Sequence, residues 1–436
     1  MDPLVAGSLA IAVMLLLIAL GLPIAISMAL VSFGGMYLAV GLDFALGAFR
    51  NLPYSMSTQF AFVAIPMFML MGAFAFVGGV TTELYTFAYR LLSRFRGSLY
   101  YATIVAAAGF AAVSGSSVVS ASVFTRISLP EMIRFKFNRG IGAGCIAASG
   151  TFAAMIPPSI TMVVYGIITG ESIGALLIAG VLPGLLTVLV YVVGLQIMLR
   201  FRPDWAPPTT DRFSWAQKLD SFKKIWAVSL LAAIVIGGIY SGIMPPSAAG
   251  TLGAAGALVI CILRRRMSRG DFWKSLRETG ESSAALFLIM IGGLLLSRML
   301  LAVGFVDEVT KLVQAANLSP TEFILFVILI YVVLGMFIDA LSMLIMTIPF
   351  IYPAVKALAM DPIWFGILVV KLVEIAVITP PVGLNLYAVL SASGGSVKTH
   401  ELLKGIVPFL VLEFVTLVIL WQFPAISTYL PKLMLG

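Results

Sequence analysis

Apolar residues fill this chain in stretches that read as membrane crossings, at 4–20, 22–40, 60–77, 141–168, 175–199, 226–243, 251–263, 284–300, 363–390 and 406–423. The pattern predicts a polytopic, all-α membrane protein. Two further apolar stretches, 101–125 and 322–353, carry small or polar residues at their centres and suit re-entrant hairpins, which enter and leave on one side. The first stretch lacks a basic start and a small-residue cleavage signature, so it reads as a retained span.

Two of the crossings are interrupted by adjacent prolines, Ile156-Pro157-Pro158-Ser159 and Thr379-Pro380-Pro381-Val382, 223 positions apart. Each pair removes two backbone donors and leaves unserved the carbonyls four residues upstream, Ala153 and Ala154 in the first case, Ala376 and Val377 in the second. At membrane depth such carbonyls are tolerated around a cavity or an ion. Interrupted spans at matching positions of two halves point to the binding site of a secondary transporter.

The duplication extends further at offsets of 223 to 226, with Val77-Gly78-Gly79-Val80 matched by Val303-Gly304-Phe305-Val306, Gly109-Phe110 by Gly335-Met336, and Pro23-Ile24-Ala25 by Pro246-Ser247-Ala248. The expected organisation is a first repeat over 1–200, a cytoplasmic linker read as a surface loop over 201–224, and a second repeat over 225–436. Each half supplies five spans plus a hairpin. Five crossings is an odd number, so the second half is expected upside down relative to the first. Amphipathic arms fit this inversion: 81–96 carries arginines, whereas 307–317 begins with Asp307 and Glu308.

Composition refines the picture at two points. The chain is 61% hydrophobic and 11% charged with a formal net charge of +8, yet its basic residues sit in short loops beside apolar runs. That is a topological distribution and argues against a nucleic-acid partner; it predicts both termini on the outer side of the membrane. Cys145 and Cys261 lie in apolar runs without ligand spacing and read as core residues. His400, the one histidine, is expected in a solvated loop over 396–404.

Candidate chemistry gathers at the hairpin centres and the breaks. Ser114-Gly115-Ser116-Ser117 combines a glycine for reversal with hydroxyls that offer hard oxygen ligands to a small cation or donors to an anion; a small-residue packing seam is the alternative. Its counterpart, Gly335 to Ser342, holds Asp339, an ionisable residue within an apolar run. Ser159 and Asn385 beside the breaks are placed to contact a substrate. Lys371 and Glu374 share a helix face and pair, or Glu374 orients the Thr379-Pro380-Pro381 turn. Arg298 snorkels from its span or meets a substrate carboxylate.

At these residues the chain resembles the large membrane subunit of tripartite ATP-independent periplasmic (TRAP) transporters, through Ile65-Pro66-Met67-Phe68, Ser114-Gly115-Ser116-Ser117, Ile156-Pro157-Pro158-Ser159-Ile160, Ile239-Tyr240-Ser241-Gly242-Ile243, Gly335 to Asp339 and Thr379-Pro380-Pro381-Val382-Gly383-Leu384-Asn385. The resemblance implies an elevator-type importer, in which a transport domain of two hairpins and two broken helices slides against a scaffold. It implies sodium as coupling ion, no other cofactor, and an organic anion delivered by a periplasmic binding protein. A small four-helix membrane subunit would complete the complex, as a separate chain because none of its segments precedes Met1. One sodium site would involve Ser114 and Ser117 with backbone oxygens near Ala153, Ile156 and Pro158. The other would involve Asp339, Ser342, Thr379 and Gly383; Ser116, Ser159, Asn385 and Arg298 are candidates for the substrate. The turn Met244-Pro245-Pro246-Ser247-Ala248 departs from the family's Thr-Pro-Thr-Glu pattern.

Other classes fit less well. A serine protease needs a base within the membrane, and ATP-driven pumping needs a Walker loop; neither pattern occurs. An ion channel and a binding-protein-independent dicarboxylate or citrate carrier remain as alternatives.

Overall fold

The computed structural model describes residues 2–208, 211–315, 318–381 and 383–435, and their regular structure is entirely helical. Among the described residues, six helices are long and apolar enough to cross a membrane, including Pro246–Leu263, Arg269–Ala302 and Thr399–Gln422; counting each of two bent pairs as a span gives eight. The first two expected spans form shorter apolar helices, Pro3–Ala19 and Ile24–Ala39. Arg269–Ala302 has 34 residues, about 51 Å at 1.5 Å per residue, and overshoots a hydrocarbon core of about 30 Å. Its excess is the polar first third, which starts at a Ser268/Asp271 capping box and carries the Arg277–Glu281 pair.

Both hairpins form where expected. Ser98–Ser114 turns at Gly115 and Ser116 into Ser117–Arg134, and Pro320–Gly335 turns into Ala340–Ala357. Gly115 has φ +62° and its absent Cβ would stand 2.9 Å from the Pro158 carbonyl oxygen, so the turn needs glycine twice over. The first break bends Arg139–Met155 against Ile160–Thr169 by 42°. The second separates Pro362–Ala376 from Leu384–Ala392. Both proline pairs contain a cis peptide bond.

Local geometry repeats as faithfully as the motifs. Lys136 and Ala359, 223 positions apart, both take left-handed φ values (59° and 50°) where a hairpin's second helix ends. Two residues on, Asn138 and Asp361 cap the following helices with side-chain oxygens. Gly79 (φ 74°) and Gly304 (φ 76°) open the arms Val80–Leu92 and Phe305–Ala315.

Packing is reciprocal between the halves. Ala64–Val77 packs on Pro246–Leu263, while Ile24–Ala39 packs on Arg269–Ala302. Likewise Leu384–Ala392 lies on Ser117–Arg134, and Ile160–Thr169 lies on Ala340–Ala357. Each half therefore gives a second and a third span to one body and a hairpin and a broken helix to another, as an approximate two-fold relation requires.

Several elements depart from expectation. Leu42–Ser57 is an amphipathic helix where no element was expected; its apolar positions recur at helical spacing, but Asp43, Arg50 and Pro53 mask the run. The linker is not all loop: it contains the short turn Pro203–Trp205 and the helix Trp215–Lys224, while Thr209 and Thr210 lie outside the described residues. A final helix, Ala425–Leu435, follows the last span. His400 stands in the first turn of Thr399–Gln422, not in a loop. The second arm ends at Ala315, and its expected end at Asn317 lies outside the described residues. Cys145 and Cys261 are free and buried, as core residues should be.

Candidate functional site

Both hairpin tips and both broken helices converge on one cavity of about 130 Å³, room for a few water molecules. Gly115, Ser116 and Ser117 come from the first tip, Asp339, Ala340 and Leu341 from the second. Ala154, Ile160 and Thr161 come from the first broken helix, and Glu374, Val377 and Leu384 from the second. Met69 and Leu286, from the two third spans, close it. Of the side chains singled out in the sequence, Ser116, Ser117, Asp339 and Glu374 thus meet in one space.

The first tip sits directly on its break. A Cβ on Gly150 would stand 2.9 Å from the Ser117 carbonyl oxygen, and one on Gly72 would stand 2.9 Å from the Ser114 Cα. Ser114 is buried and its hydroxyl has no hydrogen-bond partner among the described residues. The carbonyl of Ala154 accepts from the Ser159 hydroxyl, whose oxygen also accepts from the Met162 amide. Pro157 removes the amide that would otherwise serve the Ala153 carbonyl. Ser159 is hence a helix cap and not a lining residue, contrary to its expected contact with substrate.

The second tip is more fully satisfied. Oδ1 of Asp339 accepts from the Leu341 and Ser342 amides at 3.1 and 3.0 Å and caps Ala340–Ala357. Ser342 is buried with its hydroxyl unpaired among the described residues. Both carbonyls expected to be free at this break are taken: Ala376 by the Thr379 amide at 3.1 Å, Val377 by the Asn385 amide at 3.1 Å. The Thr379 hydroxyl donates to the Ile375 carbonyl, and Gly383 (φ 40°) starts the next helix. Val382 lies outside the described residues. Asn385 is buried and donates to the Ala147 carbonyl of the other half at 3.1 Å, leaving Oδ1 without a partner among the described residues. Arg298 is exposed, its guanidinium over the Phe44 ring at 5.3 Å, away from the cavity.

Behind the cavity lies a charged cluster only half visible in the sequence. Lys371 pairs with Glu374 at 2.7 Å, as its spacing suggests, but also with Glu413 from the last span, and all three are fully buried. Thr187 accepts from Lys371 at 3.2 Å, and Tyr191 donates to Glu413. Thr151 beside the first break also reaches Glu413, at 3.4 Å. The cluster ties together both broken helices and both last spans. A signal existed, since Glu413 interrupts the apolar run Val411-Leu412-Glu413-Phe414.

Chemically, the site offers hydroxyls, carbonyls and the carboxylates of Asp339 and Glu374 around a small space, a donor set suited to a hard cation. The family described as "Tripartite ATP-independent periplasmic transporter, DctM component" matches residues 11–426. The C4-dicarboxylate TRAP transporter large permease protein DctM of Pseudomonas aeruginosa is 34% identical over 380 residues, 87% of this chain and 88% of that one. The sialic acid TRAP transporter large permease protein SiaM of Vibrio cholerae is 29% identical, covering 95% and 96% of the two chains. Among solved structures, the Alcanivorax borkumensis YdaH transporter superposes with a TM-score of 0.61 at 13% identity, over 88% of this chain and 90% of that chain. The chain belongs to the DctM component family of tripartite ATP-independent periplasmic transporters, as a multi-pass large permease.

Proposed function

We propose that this permease imports an organic anion by sodium-coupled secondary transport, with its two hairpins and two broken helices moving as a transport domain against the remaining spans. The supporting observation is the cavity in which tips and breaks from both halves meet. Ser114 and Ser117 with backbone oxygens of Ala153, Ile156 and Pro158 would hold one sodium ion; the buried, unpaired Ser114 hydroxyl fits a cation ligand. Asp339, Ser342, Thr379 and Gly383 would hold a second, with Ser342 as the fitting hydroxyl. Ser116 and Asn385 are the groups nearest to a role with the anion. Sodium supplies the coupling charge; the chain positions the oxygens and excludes bulk water. The two halves are read as inverted repeats in an inner membrane, with both termini periplasmic. Membership of the family supports delivery by a periplasmic binding protein and assembly with a small membrane subunit as part of this reading.

The test is uptake into proteoliposomes containing the permease, its small subunit and its binding protein, under an imposed sodium gradient. Uptake that needs both the gradient and the binding protein is expected, and Ser117→Ala and Asp339→Ala should each weaken sodium activation. Full uptake without a gradient, or sodium activation unchanged in both variants, rejects the coupling or the site assignment respectively.

A further inference from the structure

Helix Trp215–Lys224 is built inside out. Held at its start by a Ser214/Gln217 capping box, it turns polar residues inward: Lys218 is 8% exposed and Ser221 1%. Its open face carries Trp215 (75% exposed), Leu219 (55%) and Phe222 (57%), and the stripe continues through Trp226 (46%) at spacings of four, three and four. Such spacings keep Trp215, Leu219 and Phe222 on one side of the helix, and Trp226 opens the next helix. In water this arrangement exposes a large apolar surface while burying polar groups. At the boundary between lipid chains and headgroups it is the stable orientation.

Three neighbours point the same way. The helix meets the apolar helix Trp226–Tyr240 at a bend of 46°, so its open stripe continues onto a surface already facing lipid. One flank of the stripe is fixed to the arm Val80–Leu92, through Phe87 against Phe222 at 5.7 Å and Arg90 on the Gln217 carbonyl at 3.1 Å. The Lys218 ammonium lies over the Trp215 ring at 5.2 Å, a cation held against the aromatic that opens the stripe.

At the C-terminal end of the helix a surface pocket gathers Lys223, Lys224, Arg264 and Arg266 against only two acids, Glu83 and Asp220, with Trp226 as its wall. Asp220 pairs with Lys224 at 2.8 Å and with Arg90 at 3.5 Å, and Glu83 is shared between Arg264 at 2.8 Å and Arg266 at 3.3 Å. Two positive charges are left in excess, beside an aromatic ring at the end of a span. We propose that Trp215–Lys224 lies in the membrane boundary and that this pocket holds the headgroup of an anionic phospholipid. The stripe would take the acyl chain and the pocket the phosphate, one lipid bridging the linker, the first arm and the end of Pro246–Leu263.

The proposal rests on the multi-pass reading and not on sodium coupling, so it is tested without transport. The full chain is reconstituted in vesicles of acyl-brominated phosphatidylcholine, and the emission of Trp215 is taken as the difference between the wild type and Trp215→Phe. Strong quenching by the brominated chains, with protection from aqueous iodide, is expected. Trp215 emission open to iodide and untouched by bromine would overturn the boundary placement and reserve the face for water or for a protein partner. For the pocket, native mass spectrometry compares retention of phosphatidylglycerol with phosphatidylcholine. Lys223→Gln with Lys224→Gln should lower that preference by about tenfold; an unchanged preference in a variant that melts like the wild type overturns the headgroup site.

Discussion

Ser114 is a buried hydroxyl with no partner among the described residues, a state that costs stability unless something else supplies the missing contact. Removing the hydroxyl should therefore leave the fold intact. Ser114→Ala is expected to change the melting behaviour of the sodium-free protein by no more than about 0.5 kcal/mol while raising the sodium concentration needed for half-maximal uptake. A melting midpoint that falls sharply in sodium-free buffer would instead give Ser114 a structural role. Lys371 is the opposite case, because its ammonium stands between Glu374 and Glu413 with no water access. Lys371→Met strands two buried carboxylates and should cost about 3–5 kcal/mol, read as a lowered midpoint; adding Glu374→Gln and Glu413→Gln should restore most of it. Half of this cluster was legible, since Lys371 and Glu374 are three residues apart on one helix, whereas Glu413 joins them only once the last span packs.

The elements most visible in the sequence are those punctuated by glycine and proline. Gly115, Pro157-Pro158 and Pro380-Pro381 fix where the chain reverses or breaks, and the hairpins and breaks form there. Amphipathic helices on the outside were harder to read: Leu42–Ser57 and Trp215–Lys224 have no long apolar run, and both lean on packing against neighbouring helices, Trp215–Lys224 on the distant arm Val80–Leu92. The state of the freed carbonyls was also hidden. Proline identity shows which donors vanish, but not that Ser159, Thr379 and Asn385 replace them. A test at this scale is Gly115→Ala, which puts a methyl group against the Pro158 carbonyl at a left-handed turn. It should cost about 1–3 kcal/mol and separate tip from break, lowering sodium-activated uptake more than membrane insertion, as quantified by uptake per inserted protein.

Across the whole molecule, the cavity is sealed by Met69 and Leu286 from the spans outside the proposed transport domain, so movement of that domain must open this contact. A disulfide introduced through Met69→Cys and Leu341→Cys should stop uptake and be reversed by reductant. A control bridge through Phe62→Cys and Phe287→Cys, whose rings stand 5.8 Å apart between two spans of the other body, should leave uptake in place. Equal inhibition by both bridges would argue against sliding of one body on the other. The reciprocal packing has a consequence for how the protein is made. Ile24–Ala39, Ala64–Val77 and Arg139–Gly150 of the first half pack most extensively on helices of the second, so the first half leaves the ribosome with these surfaces facing lipid or chaperone. Insertion can proceed span by span, but assembly must wait until synthesis has passed the last transmembrane segment. The nascent first half is thus the stage at which membrane quality control has longest access to this protein.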